Sequence, residues 1–297
     1  MTDLSVIIPS YNTRAITSRC LDALMQNLSE EKAVSAEIIV VDNASSDGSV
    51  KMLAEYQKKQ DRVQIKTIFN RSNLGYPKAN NQGLKIARGK YILLLNSDAI
   101  VKNIDFGKLL IYFDRYPEVG GLTVKVTLPN GQIDSASHRG FPTIWNSLCY
   151  FSGLEKIFGG VPVLNRFFGG YHLKHLDLNK IHEIDSALGA FYLLRKNVLS
   201  EIDGFDDKNF FFYGEDLDLS YRIKQAGYKI IYYPRFEVLH LKYASGLNKS
   251  NREIREKTKE HFYEAMKIFY RKHYEKKHLW LINQLVYFFI NLKKEIS

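Results

Sequence analysis

Cysteine is scarce. The 297 residues hold two, Cys20 and Cys149, and no Cys-x-x-Cys pair. That excludes a cysteine-built zinc site and a disulfide framework, and fits idle or buried thiols in a reducing compartment. The opening Met-Thr-Asp-Leu-Ser has neither a basic stretch nor an apolar core, so no secretory leader is expected. No apolar run reaches the roughly twenty residues that a spanning helix needs. The longest apolar-rich stretch, Leu279 to Leu292, is broken by Asn283 and Gln284. No Gly-x-Gly-x-x-Gly follows the first predicted strand, which argues against a dinucleotide site. Gly83 to Lys90 fails as a phosphate loop: five residues separate its glycines, Tyr91 replaces the required hydroxyl residue, and a strand follows it rather than precedes it. There is no internal repeat and no low-complexity linker.

What is present is ordinary globular composition, 45% hydrophobic and 25% charged. The length suits one large α/β domain or two small ones, at roughly 100–200 residues per domain. Net charge is +10, and residues 241–297 hold 13 Lys/Arg against 6 Asp/Glu. Such an excess can attract nucleic acid, an anionic membrane surface or phosphorylated substrates.

The pattern predicts buried strands at Leu4 to Pro9, Glu37 to Val41, Val63 to Phe69 and Lys90 to Leu95. Helices over Asn12 to Leu28, Ser49 to Lys59 and Gly75 to Ala87 alternate with them, which argues for a parallel sheet covered on both faces. Further on, the sequence predicts strands over 120–128, 184–194 and from Lys229, a helix over 216–226, and loops with short helices over 145–175. From about residue 251 it becomes helical, charged and aromatic.

Ligands of open α/β sheets bind beyond the carboxyl ends of the strands. Three predicted ends carry polar groups: Pro9-Ser10-Tyr11-Asn12, Asp42-Asn43 and Asn96-Ser97-Asp98. A carboxylate such as Asp42 can accept the imide N–H of uracil or thymine, Tyr11 can stack on a base, and Asp98 can hold a divalent cation against a diphosphate. Each could equally cap the element that follows. Glu215, Asp216 and Asp218 open a helix behind an aromatic run. The helix dipole favours carboxylates there, and an aromatic-walled carboxylate also suits a general base. His172, His175 and His182 lack metal-ligand spacing, so no zinc site is expected.

Taken in order, these pieces resemble family 2 glycosyltransferases of the GT-A fold. Val6 to Asn12 looks like the opening strand and nucleotide loop, Val40 to Gly48 like the second-strand motif, and Asn73 to Gly83 like the asparagine-rich helix. Asn96-Ser97-Asp98 stands where the DxD motif stands, with Asn96 replacing its first acid. Ser186 to Ala190 is similar to the acceptor-side strand, and Gly204 to Leu219 to the segment that carries the catalytic acid. The likeness runs over residues 4–246 and leans toward the rhamnosyltransferase-like branch.

The resemblance implies a GT-A α/β fold, a mostly parallel central sheet flanked by helices, with a catalytic domain over 1–246 and a helical segment over 247–297. It implies that Pro9, Tyr11, Asn12, Asp42, Asn43, Asn96 and Ser97 bind the donor nucleotide and that Lys78 approaches the diphosphate. Asp98 would ligate Mg²⁺ or Mn²⁺, with His240 as a further ligand. Asp216 would be the base and Glu215 its neighbour, with Leu188, Gly189 and Ala190 on the acceptor side. The implied reaction is an inverting transfer from a nucleotide-sugar to a glycan in bacterial cell-surface polysaccharide synthesis. dTDP-rhamnose leads as donor; UDP-hexose or galactofuranose transfer is the alternative.

In the tail, Lys272, Lys276, Lys277, Lys293 and Lys294 bracket an apolar stretch. That fits a helix lying on an anionic membrane, and with it a polyprenyl-diphosphate-linked acceptor at the cytoplasmic face. The other reading packs the helix on the catalytic core or on a second copy, as a homodimer. A processive synthase is excluded by the missing spans and the missing Gln-x-x-Arg-Trp motif. A binding-only relative would retain the fold without turnover. Nucleic acid is suggested by charge alone, with no recognition motif.

Overall fold

The computed structural model describes residues 2–59, 62–242 and 252–296. The expected 246/247 division lies outside the described residues. The first part alternates as the pattern requires: β1 (Leu4–Ser10), α1 (Arg14–Glu30), β2 (Ala36–Asp42), α2 (Ser49–Lys58), β3 (Gln64–Phe69), α3 (Tyr76–Ile86) and β4 (Tyr91–Leu95). Next come β5 (Ala99–Val101), α4 (Phe106–Arg115), β6 (Val119–Thr127), and the short helices α5 (Ile144–Ser152), α6 (Leu154–Phe158) and α7 (Leu164–Phe168). β7 (His182–Ile184), β8 (Phe191–Arg195), α8 (Lys196–Glu201), α9 (Glu215–Gln225), β9 (Lys229–His240), α10 (Arg252–His273) and α11 (Trp280–Ile296) complete the described chain.

One sheet runs in the order β3-β2-β1-β4-β8-β6-β9-β5, with β7 also paired to β9. β1 to β4 are mutually parallel, and β6 and β9 share their direction. β8 enters antiparallel between β4 and β6. The sheet is therefore mostly parallel. β1, β2 and β4 are buried on both faces, whereas β3 at the edge is half-exposed. Leu4, Val6 and Ile8 of β1 point to the core under α1 and α4, whereas Ile7 joins Ile39, Val41, Ile92 and Leu94 in the core under α3. The period-2 alternation of a strand sends neighbours to opposite cores, so the run must be apolar throughout.

Several expectations shift. β5, α4 and α8 were not foreseen. β5 has three residues and is held by its antiparallel register with β9, a tertiary cause with no local signature. The strand expected over 184–194 is two, β7 and β8. Between them Ser186 makes an isolated bridge to Arg139, and Gly189 is pressed against Tyr76, where a Cβ would stand 2.2 Å from the phenol oxygen. The acceptor-side segment Leu188-Gly189-Ala190 is accordingly a turn.

The C-terminal helices meet the core. Ala265 and Phe269 of α10 pack on Phe210 and Tyr221. α11 folds back on α10, and Asn283 accepts from the Tyr270 hydroxyl at 2.7 Å and donates to the Glu275 carbonyl at 3.1 Å.

Candidate active site

Asp42 closes β2 and is fully buried. Its Oδ2 accepts the Ser45 amide at 2.9 Å, while Oδ1 has no hydrogen-bond partner. A buried acceptor left unmade costs about 1–3 kcal/mol, so this oxygen is set for a donor that the chain does not supply. Asn43, by contrast, is committed. Its amide donates to the Gly75 carbonyl at 3.2 Å and accepts from Asn70 at 2.8 Å, and Asn70 and Gln82 exchange bonds in turn. Asn43 thus fixes the entry to α3.

Ser97 is buried within a web of hydroxyls, 3.4 Å from Thr13, which reaches Ser10 and Thr17 at 3.2 and 2.9 Å. Pro9 lies in the buried β1, opposite Val41. Asn12 has a φ of 52° and accepts the Ser46 amide at 2.8 Å, tying the β1 loop to the β2 loop. Tyr11 beside it is 43% exposed, and Lys78 stands exposed on the first turn of α3.

Asp98 and His240 meet because β5 pairs with β9. Ala99 is in register with His240, and the Leu241 amide donates to the Asp98 carbonyl at 2.9 Å. The side chains stand 3.3 Å apart, His240 Nε2 to Asp98 Oδ1. The other imidazole nitrogen lies 3.0 Å from Asp134, whose second oxygen is 2.8 Å from Lys242. Burial opposes charge on His240, but the bonds to Asp134 and Asp98 outweigh it and lift its pKa to about 9. A carboxylate oxygen beside an imidazole nitrogen whose far side is held by a second carboxylate is a donor set that fits a divalent cation. Among the described residues no cluster of three His, Cys, Asp or Glu side chains is set to hold a metal. The remaining ligands would have to come from a bound diphosphate or water. Asn96 has a buried Oδ1 without a partner, close to where Gly189 packs.

The acid segment resolves into different roles. Tyr213 and Gly214, with φ of 71° and 78°, make the sharp turn that starts α9 at Glu215. Asp216 receives Arg139 Nη2 on its Oδ2 at 3.1 Å and its neighbour's amide, that of Leu217, on Oδ1 at 2.8 Å. Glu215 is buried with Oε2 unpartnered. Burial, then the charge of Asp216, push its pKa up to about 8. Both causes favour the protonated form of Glu215, while Asp216 is the member of the pair that meets Arg139. Asp218 is a strut. Burial pushes its carboxyl up, but bonds from His273 at 2.7 Å and Lys272 at 2.7 Å, with Arg222 at 2.8 Å, hold it down at about 2.

Tyr76 joins the two sides. Its amide donates to Phe211 at 3.0 Å and its hydroxyl lies 3.5 Å from the Gly189 carbonyl. Burial, then the charges of Glu215 and Asp216 and, more weakly, Asp98, drive its phenol pKa upward. The half-buried ring of Tyr76 thus feels the charges of the α9 pair and, more weakly, of Asp98. Sequence reasoning missed Tyr76, Asp134 and Arg139 as site residues. Tyr76 sits inside a recognised motif and was within reach. Asp134 and Arg139 lie in an irregular stretch whose partners are 106 and 77 residues away.

Residues 5–177 match the model described as "Glycosyl transferase family 2", and residues 165–292 match "Glycosyl transferase family group 2". The poly(ribitol-phosphate) beta-glucosyltransferase of Bacillus spizizenii is 40% identical over 96 residues, which is 32% of this chain and 14% of that protein. The N-acetylglucosaminyl-diphospho-decaprenol L-rhamnosyltransferase of Mycobacterium tuberculosis is 26% identical over 254 residues, 82% of this chain and 77% of its own. A mannosyltransferase from Pyrobaculum calidifontis, solved with GDP-Man and Mn²⁺, superposes with a TM-score of 0.57 at 16% identity, over 91% of this chain and 66% of that one. That likeness is one of fold.

Proposed function

This chain belongs to glycosyl transferase family 2, and on that premise we propose that it is an inverting glycosyltransferase acting on a nucleotide-sugar, with dTDP-rhamnose as donor and a glycan hydroxyl as acceptor. One observation carries the reading. Asp42 at the end of β2 keeps a buried oxygen without a partner, Asp98 after β4 lies 3.3 Å from His240, and Asp216 at the start of α9 lies 3.1 Å from Arg139. A donor base, a diphosphate and an acceptor hydroxyl need three such groups.

Asp216 takes the proton of the acceptor hydroxyl as that oxygen bonds to the anomeric carbon and the bond to the nucleoside diphosphate breaks. A single displacement inverts the centre, so one base suffices. Arg139 orients that base, and Glu215 lies buried beside it, where burial favours its protonated form. Asp42 accepts the imide N–H of the base through its unpartnered oxygen, and Lys78 meets the leaving diphosphate. Asp98 and His240 would hold Mg²⁺ or Mn²⁺, which when bound supplies positive charge to the leaving group.

The mycobacterial relative's name supports a lipid-linked acceptor, N-acetylglucosaminyl-diphospho-polyprenol in kind. The acceptor's lipid would place the enzyme at the inner face of the cell membrane, with α11 on the surface. UDP-hexose transfer is the second reading, since an imide-reading aspartate accepts uracil as readily as thymine.

The test is a thermal-shift panel of dTDP, UDP and GDP with and without Mn²⁺, followed by transfer assays with the matching sugar. A ligand at 100 times its dissociation constant adds about 2.7 kcal/mol. Selective stabilisation by dTDP, cut to about half in Asp42→Ala, with an inverted rhamnoside as product, is expected. Stabilisation without turnover on any acceptor would point to a binding-only relative.

A further inference from the structure

α11 is inside out. The side chains it buries against α10 are Asn283 and Ile290, with Tyr287 half-buried between them. On the opposite side, at the 100° spacing of a helix, stand Leu281, Leu285, Phe288, Phe289, Leu292 and Ile296, all exposed. An ordinary surface helix points its apolar stripe inward. Here the polar Asn283 faces the protein and makes three hydrogen bonds there.

A second apolar surface lies beside it. The helical insert α5–α7 exposes Trp145, Leu148, Ile157, Val163 and Phe167. Among the described residues, sixteen of the twenty-three exposed large hydrophobic side chains fall within 145–167 and 279–296. The two segments touch, with the Lys293 ammonium 5.8 Å from the centre of the Phe151 ring. The two segments carry more basic than acidic side chains: Lys156 and Arg166 on the insert, Lys293 and Lys294 at the end of α11, against Glu295 and a Glu155 that is buried on His172 at 2.9 Å.

The insert is also rooted at the reaction centre. Arg139, two residues before Phe141, pairs with Asp216, and Phe141 packs on Tyr221 of α9 with ring centres 4.9 Å apart.

We propose that α5–α7 and α11 form one lipid-facing platform, a two-point contact with an anionic membrane that seats the acceptor side of the site against the bilayer. The inference rests on the membrane-surface reading above and adds the insert as its second contact. Apolar residues on segments with a basic excess and no spanning length match an interfacial surface. That excess complements anionic headgroups rather than a second copy, which would bring like charges together. A glycan carried on a lipid could then reach Asp216 without its carrier leaving the membrane.

The chain's only two tryptophans mark the two contacts, Trp145 on the insert and Trp280 on α11. Full-length Trp280→Phe and Trp145→Phe proteins would be titrated with vesicles of phosphatidylcholine alone and of phosphatidylcholine with phosphatidylglycerol. The expected result is a blue shift of both single-tryptophan emissions with the anionic vesicles only. In parallel, Ile157→Glu/Phe167→Glu should lower vesicle binding about tenfold, with an unchanged far-ultraviolet spectrum and unchanged nucleotide-induced thermal shift. A shift of Trp280 without Trp145, and full binding by the insert variant, would overturn the two-point platform and leave α11 as the lone contact. No vesicle binding by the wild type would overturn the membrane-surface reading itself. A stable dimer in solution, broken by Phe288→Glu with no response to lipid, would assign the face to a second copy.

Discussion

The donor side and the base side of this site are built in opposite ways. On the proposed donor side the candidate groups close three neighbouring parallel strands, and the loops at those strand ends hold one another: Asp42 by Ser45, Ser97 by Thr13, Asn12 by Ser46. On the base side, Asp216 depends on Arg139, 77 residues earlier, and Asp218 on His273, 55 residues later. The first arrangement is a property of strand order, which sets the strand-end loops side by side. The second ties a helix to an irregular segment and to the C-terminal helix, which no strand order brings together.

That contrast can be tested in order of expected effect. Asp216→Asn should cut kcat by about 10³-fold, about 4 kcal/mol in barrier, with donor affinity unchanged by calorimetry. A comparable loss of donor binding would break the separation of the two sides. His273→Ala should cost about 2 kcal/mol of folding stability, because it takes a partner from the buried Asp218. Urea denaturation would read it, and nucleotide affinity at low urea should be unchanged. Asp42→Ala should do the reverse, weakening nucleotide binding about tenfold, about 1.4 kcal/mol, while costing less stability than His273→Ala, about 1 kcal/mol for the Ser45 amide bond, since its other oxygen satisfies nothing in the folded chain.

Glu215 offers the finest probe. Its pKa lies above the ordinary 4.5, at about 8. Between those values the folded chain keeps a proton that the unfolded chain has released, so folding loses stability as pH rises through that window. Glu215→Gln removes the loss. Its stability relative to wild type should improve from pH 5 to pH 8 by at least one pKa unit's worth, about 1.4 kcal/mol, in paired denaturation curves. A gap that stays flat with pH would mean that Glu215 is ionised in the fold.

The same contrast explains what the chain discloses before it is folded. Asp42, Asp98 and Asp216 are legible because each belongs to a contiguous motif at a strand end or helix start. The parallel half is legible because strands buried on both faces must be apolar throughout. Arg139 and Asp134 carry no local mark, since their meaning comes from β6, β8 and β9 lying side by side. β5 is three residues long and has only its register with β9 to define it. Asn283 reads as an interruption in an apolar run. Periodicity tells which residues share a face of α11, and only the packing against α10 tells which face is turned inward.

The clamp on Asp218 has a consequence for how the protein comes into being. Arg222 is available to it at once, four positions along its own helix, but Lys272 and His273 emerge only when the last tenth of the chain is being made. Chains are built from the N-terminus at roughly 5–20 residues per second. For the seconds in between, Asp218 has Arg222 alone, and α9, which carries Asp216, gains its anchor on α10 only with the tail.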